Sequence, residues 1–233
     1  MDRTQIAPSF RETILLESQS LASLVDQVDM GAVAQCVEAI AACKGRVITT
    51  GAGTSAAAAK KIAHSLCCIE RPAMLLTPSD AVHGGLGAVQ PGDIVIAISK
   101  GGNTAEILNM LPAIAAKKAT LIGVTENDRS ELARRSTILL RVKVDREPDP
   151  FNMLATASTL AVIAVFDAIC IALMQHTGYT REQFAVIHPG GAVGRRLRIA
   201  DRGSRNADTS HHRRSHGSRA YPDRRTRPGR NVS

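Results

Sequence analysis

Two β-branched runs in this chain end in glycine and pass directly into a helical stretch, and that junction constrains the fold more than any other feature. Asp93-Ile94-Val95-Ile96-Ala97-Ile98-Ser99 is followed by Lys100-Gly101-Gly102-Asn103 and a helical pattern over residues 104–117. Arg46-Val47-Ile48-Thr49-Thr50 ends in Gly51-Ala52-Gly53 and leads into a helical pattern over 54–68. Further strands are predicted over 74–77, 120–125 and 138–142, with a short helix over 130–135 and a long one over about 154–176. Uninterrupted apolar strands are buried on both faces, and strands alternating with helices build parallel sheets. The expected fold class is therefore α/β. It is a five-stranded parallel sheet, doubly wound by right-handed crossovers into a flavodoxin-like three-layer α/β/α arrangement. Ligands in such sheets bind beyond the carboxyl ends of the strands, so the loops after Thr50, Thr77 and Ser99 should carry the function.

Helices precede the sheet. Ser9-Phe10-Arg11-Glu12 reads as a capping box and predicts a helix starting there and running to about residue 28. Ile14, Leu21, Leu24, Val25 and Val28 share one face of it. A second helix is expected over 31–43, stopped by Gly45. Thr180-Arg181-Glu182-Gln183 is another capping box and predicts a last short helix. The expected organisation is N-terminal helices over 1–45 packing on a domain over 46–197, followed by a tail over 198–233.

Composition refines this picture. The chain has no Trp, two Tyr and four Phe, so its core must be built from Ala, Val, Ile and Leu. The net charge of +8 belongs to the tail: residues 195–233 hold twelve Arg and three Asp, a net +9, which leaves residues 1–194 at −1. Nucleic acid is thus expected as a partner only non-specifically, through the Arg-rich tail, which lacks apolar periodicity and reads as disordered. Five cysteines without C-x-x-C spacing read as buried free thiols and suit a reducing cytoplasm. The N-terminus has no apolar signal region, so a cytoplasmic location is expected. The apolar stretch from 154 to 174 is long enough to span a bilayer, but its Thr156, Ser158, Thr159 and Asp167 point to a buried central helix and no membrane partner.

Several residues could carry chemistry. In the loop Ser99-Lys100-Gly101-Gly102-Asn103-Thr104, glycines permit close backbone approach, and hydroxyls with free N–H groups at a helix start can bind a phosphate. The same residues also suit an ordinary turn with Thr104 as N-cap. Gly51-Ala52-Gly53-Thr54-Ser55 has the same form, and two such loops on neighbouring strands suggest phosphate more than a dinucleotide, whose third fingerprint glycine is Ala56 here. Glu106 sits in the first turn of the following helix, where it either complements the helix dipole or serves as a general base. Glu147 lies in an acidic, Pro-rich loop of a kind that is usually solvated. His83, in Ala81-Val82-His83-Gly84-Gly85, and His188, in Ile187-His188-Pro189-Gly190-Gly191, are each open to structural or functional readings.

Taken together, Ala81-Val82-His83-Gly84-Gly85-Leu86-Gly87, the 99–106 loop and Phe184-Ala185-Val186-Ile187-His188-Pro189-Gly190-Gly191-Ala192-Val193-Gly194-Arg195 resemble the sugar isomerase (SIS) domain, within it the arabinose-5-phosphate isomerase-like branch. The resemblance covers residues 10–197. It implies an assembly of two or four subunits with active sites shared between them. It implies catalytic roles for His83, Glu106, Glu147 and His188, and phosphate binding by Thr54, Ser55, Ser99, Gly101, Gly102, Asn103 and Thr104. The sequence departs from the family pattern in three places. Thr54 stands where the family carries Lys, Gly101 stands where it carries Ser, and the Arg-rich tail replaces the paired CBS modules of full-length members. The tail has the composition of either a disordered extension or translation past a frameshift.

The implied reaction interconverts an aldose phosphate and a ketose phosphate through a cis-enediolate, with arabinose 5-phosphate and ribulose 5-phosphate or a related pair as substrates. Proton transfer of this kind needs no metal or redox cofactor, so none is expected. The alternative is a non-catalytic SIS domain that senses a sugar phosphate; the loss of Lys at position 54 favours it, and the retained Glu106, Glu147 and His188 favour the enzyme.

Overall fold

The computed structural model describes residues 3–190. Residues up to Thr180 form one compact unit, and Arg181 begins a second. The first unit opens with two helices, α1 (Arg3–Gln27) and α2 (Met30–Ala42). Strand β1 (Val47–Gly51) and helix α3 (Thr54–Cys67) follow, then β2 (Ala73–Leu75), α4 (Pro78–Ala81) and a 3-10 turn at Gly85–Ala88. Next come β3 (Ile94–Ile98), α5 (Ala105–Leu108), α6 (Leu111–Ala116), β4 (Thr120–Thr125), α7 (Glu131–Arg135), β5 (Ile138–Arg141) and α8 (Ala157–Thr177). In the second unit, α9 spans Arg181–Ile187.

All neighbouring strands are parallel, in the order β2-β1-β3-β4-β5. The chain first winds outward from β1 to β2 and then returns past β1 to β3. The order therefore reverses between β1 and β3, the place where doubly wound sheets open a crevice at their carboxyl edge.

The period-2 geometry of the strands sorts the core into two layers. Ile94, Ile96 and Ile98 project to one face with Val47, Ile122, Val124 and Leu140, where they meet Ile62 and Leu66 of α3 and Phe166, Ile169 and Leu173 of α8. Val95 and Ala97 project to the other face with Ile48 and Leu121, against Ile107, Met110, Leu111, Ile114 and Leu132. All residues of β1 and β3 are buried, as expected for a sheet covered on both sides. Asp93 fastens the amino edge: its two carboxylate oxygens accept N–H bonds from Arg46 (2.7 Å) and Gln90 (2.8 Å).

Several local expectations need correction. Helix α1 does not start at the Ser9 capping box but already runs from Arg3, through Pro8. Pro8 lies past the first turn, where proline lacks the N–H for an i→i−4 bond and disfavours a helix, yet α1 continues through it. The true N-cap is on the next helix, where the Asp29 carboxylate accepts from Gly31 N (2.7 Å) and Ala32 N (3.4 Å). The helix expected over 104–117 is two short helices broken at Asn109 and Met110, with Pro112 in the first turn of the second. The long helix begins at Ala157 rather than 154, because residues 145–156 are held in a loop by carboxylates. It is also not buried all round. Ala157, Ala161, Val165, Phe166, Ile169, Cys170 and Leu173 form its inner face, while Leu160 and Ile171 are exposed. All five cysteines are free, yet only Cys36 and Cys170 are buried, and Cys67 is exposed. The tail over 198–233, and the part of the His188 motif beyond Gly190, lie outside the described residues.

Candidate active site

The carboxyl edge is shaped by two close approaches. At β1, a Cβ on Gly51 would lie 2.7 Å from backbone atoms of Ser55, so only glycine lets α3 begin directly over the strand end. At β3, Gly102 adopts φ +70°, and a Cβ there would collide with the Ser130 hydroxyl. The 99–104 loop is thereby pressed against the segment between β4 and α7. Two of its carbonyls are engaged there: Lys100 O accepts from Thr125 Oγ1 (2.8 Å) and Glu126 N (3.0 Å), and Gly102 O accepts from Leu132 N (3.1 Å). The Asn103 side chain accepts from Glu131 N (3.0 Å). Ser99, 2% exposed, ties the loop from within, its hydroxyl 2.7 Å from Thr104 Oγ1 and accepting from Gly102 N at 3.1 Å. In contrast, the N–H groups of Gly101, Asn103 and Thr104 meet no acceptor among the described residues. A loop with carbonyls bound inward and amides unclaimed is a concavity for an anion.

A cavity of about 80 Å³ opens beside this loop, at the carboxyl ends of β1, β3, β4 and β5. Its walls include Thr54, Ser55 and Ala58 of α3, Ile98 and Lys100, Val124 and Thr125, Val142, and Ser158, Thr159 and Val162 of α8. Lys100 is the cation among these residues. Its Nζ donates to Glu147 Oε1 at 2.7 Å. The Glu147 side chain is completely buried, while that of Lys100 is 37% exposed.

Glu147 is far from the solvated residue its acidic, Pro-rich surroundings suggested. Its Oε2 accepts from Thr156 N (3.0 Å) and Ser158 N (3.3 Å) at the start of α8. Its own N–H donates to Asn152 Oδ1 (2.7 Å). Burial alone would push this carboxyl up, but the Lys100 ammonium, the Ser158 hydroxyl and the two backbone amides outweigh it and hold the pKa below the usual glutamate value. The loop around it is ordered by Asp149, whose carboxylate accepts from the N–H groups of Phe151 (3.0 Å), Met153 (2.9 Å) and Leu154 (2.8 Å).

The structure thus brings some of the expected site residues together and not others. Thr54 and Ser55 line the cavity, and Glu147 reaches it through Lys100. Ser99, Gly101, Gly102, Asn103 and Thr104 form the adjoining loop. Glu106 is exposed on the first turn of α5, and His83 is exposed in the turn after α4; neither lines the cavity. His188 belongs to the second unit, where its ring stacks on Phe184 with centroids 3.9 Å apart and its Nδ1 lies 2.9 Å from Phe184 O. Lys100, Asn152 and Asp149 were not picked out as functional. The signal for Lys100 was present: it is the one cation inside a Gly-rich strand-to-helix loop. Nothing local marks Asn152 or Asp149 as the residues that order the Glu147 loop.

The structure is a doubly wound parallel sheet with unclaimed loop amides and a hydroxyl-bearing cavity at its carboxyl edge, the place where α/β domains of this class bind ligands. The SIS domain family matches residues 40–172, and the chain belongs to that family. It is 40% identical over 189 residues to the arabinose 5-phosphate isomerase KdsD of Pseudomonas aeruginosa, a match covering 81% of this chain and 58% of that protein. The chain therefore spans about three fifths of the length of the curated relatives it matches. Among solved structures, a candidate sugar-phosphate isomerase of Listeria monocytogenes superposes with a TM-score of 0.80 at 54% identity, covering 82% of this chain and 100% of the other. A protein of Escherichia coli CFT073, solved in complex with arabinose 5-phosphate, superposes with a TM-score of 0.77 at 30% identity, covering 81% of this chain and 100% of the other.

Proposed function

We propose that this chain is a phosphosugar isomerase that interconverts an aldose phosphate and a ketose phosphate, arabinose 5-phosphate and ribulose 5-phosphate or a close relative, through a cis-enediolate. The observation that carries the reading is the Lys100–Glu147 pair. A fully buried carboxylate, held ionised, stands beside a hydroxyl-lined cavity that adjoins a loop with unclaimed amides. Such a loop suits the phosphoryl group, which leaves the sugar carbons toward the cavity. The likeness to KdsD of Pseudomonas aeruginosa supports the arabinose 5-phosphate assignment.

In this reading Ser99 and Thr104 shape the phosphate loop, and the amides of Gly101, Asn103 and Thr104 donate to the phosphoryl oxygens. Ser55 and Thr54 bind sugar hydroxyls or the near phosphoryl oxygens. His83 or His188 assists ring opening. A carboxylate, Glu106 or Glu147, takes the proton α to the carbonyl, and the proton returns to the neighbouring carbon, so that aldose becomes ketose with no net gain or loss of atoms. Glu106 is exposed in a single chain, and the reading places it in a site completed by a second subunit of a homodimer or homotetramer. Exposed Ile6, Phe10, Ile14 and Leu15 on α1 support such an assembly.

The test is isomerisation of a panel of pentose and hexose phosphates, followed by solvent deuterium incorporation next to the carbonyl. Turnover of one sugar phosphate with deuterium uptake supports the enzyme. Tight binding of a sugar phosphate without turnover or exchange supports the second reading, a sensor, which the uncharged Thr54 favours.

A further inference from the structure

We propose that Lys100 is the electrophile of this pocket: its ammonium contacts the sugar's carbonyl oxygen and stabilises the enediolate, while Glu147 holds it in place. The inference rests on the isomerase reading for the reaction and on the cavity for the contact.

Three observations lead to it. First, the Lys100 backbone is immobilised, because its carbonyl accepts from Thr125 Oγ1 and Glu126 N, so the side chain starts from a fixed point. Second, the ammonium has three N–H donors, of which Glu147 Oε1 takes one, and the side chain is partly exposed and lines the cavity. Third, Ile98, Val124, Val142 and Val162 add apolar surface between the hydroxyls of the cavity wall, and a charge–dipole contact beside such surface is stronger than in open water.

Position selects the sugar end over the phosphate. Glu147 is wholly buried and does not line the cavity, so the partly exposed Lys100 ammonium is the charge the cavity presents. A carbonyl oxygen is neutral in the substrate and becomes negative as the α-proton leaves, so it gains most at the moment of reaction. The phosphoryl group already has the uncharged amides of the 101–104 loop. Thr54 lines the same cavity without a charge, so no lysine competes for this role from that position.

The test uses two ligands that differ only at the first carbon: arabinonate 5-phosphate, whose carboxylate imitates the enediolate charge, and arabinitol 5-phosphate, which has an alcohol there. The wild-type protein should bind the carboxylate at least about tenfold more tightly. In Lys100→Gln that preference should fall to about twofold or less, with arabinitol 5-phosphate and inorganic phosphate bound within about threefold of wild type. Lys100→Gln with Thr54→Lys, which returns a cation to the same cavity, should recover part of the preference. If Lys100→Gln does not fold, Lys100→Met combined with Glu147→Gln removes both charges together and is expected to lose the preference likewise. A preference unchanged in either Lys100 variant overturns the inference, as does a loss of inorganic phosphate affinity equal to the loss for the carboxylate. The isomerase reading is judged separately, by wild-type turnover, since the affinity ratio is readable whether or not the protein turns over. A wild-type protein that binds neither ligand overturns both.

Discussion

Lys100 and Glu147 lie 47 residues apart and meet at 2.7 Å, joining the loop after β3 to the loop before α8. The bond turns a buried carboxylate from a liability into a fixed element of the carboxyl edge.

Removing that carboxylate should cost stability, in a pH-dependent way. Glu147→Gln leaves Lys100 without its partner, and because Lys100 is partly exposed the loss should be about 1–3 kcal/mol at pH 7 rather than the larger cost of a fully buried cation. Glu147 titrates below its unfolded value. Its contribution is therefore complete above about pH 4.3, the ordinary glutamate value, and is lost as pH falls through the lower folded value. Denaturant melts of wild type and variant should differ at pH 7 and converge in acid. A gap that stays constant down to about pH 2, below the ordinary glutamate range, would refute this role.

Gly102→Ala should be among the most damaging single changes in the loop. The residue sits at φ +70°, and the added Cβ collides with Ser130 Oγ, which caps α7 by accepting from Ala133 N at 3.2 Å. A loss of about 2–4 kcal/mol is expected from left-handed strain and the displaced cap. Thermal melting should fall by about 5–10 °C for a chain of this size. Ser99→Ala removes one of the two acceptors of Gly102 N, which keeps Ser99 O at 3.0 Å, and the hydroxyl partner of Thr104 Oγ1; it should cost about 0.5–1.5 kcal/mol while weakening sugar-phosphate binding. Melting of both variants within a degree of wild type would show that the loop is not held as described.

Glu106→Gln and His188→Asn should separate chemistry from folding. Glu106 is exposed, so its loss should change stability by no more than about 0.5 kcal/mol. If it is the base, kcat should drop by about 10²–10⁴ with KM within about threefold. His188→Asn should show the same split. Steady-state kinetics with parallel binding measurements decide it, and equal losses of affinity and rate would remove both residues from the proton-transfer step.

The cysteines should divide by burial. Desolvation pushes the Cys36 thiol up to about 12 and Cys170 up to about 11, so neither is a thiolate near neutral pH. Cys67 is exposed, its Sγ 3.2 Å from Ala73 O. Iodoacetamide under native conditions should label Cys67 first and leave Cys36 and Cys170 untouched until the protein unfolds. Peptide mass spectrometry of the labelled protein reads this directly, and early labelling of Cys36 would contradict the packing of α2.

Much of the architecture was legible in the linear pattern. Strand-period apolar runs closed by glycine at Gly51 and Gly101-Gly102 identified β1 and β3, and the alternation with Ala-rich helices specified a parallel, doubly wound sheet. These signals are local: dihedral freedom, side-chain period and the identity of the residue at a turn are properties of neighbouring positions. The same locality misled at Ser9, where a sound capping pattern sits inside a longer helix, and at 104–117, where one periodic stretch breaks into two.

The state of the site belonged to the tertiary structure. No local rule says that Glu147, in a polar and Pro-rich segment, is wholly buried, or that Lys100 rather than residue 54 brings the positive charge to the cavity. Both follow from long-range closure, which sets the start of α8 and the ends of β3, β4 and β5 around one cavity and leaves a carboxylate that must find a cation and two amides. Electrostatic energy depends on distance through space and on what surrounds the charges, and neither is written in the spacing of residues along the chain.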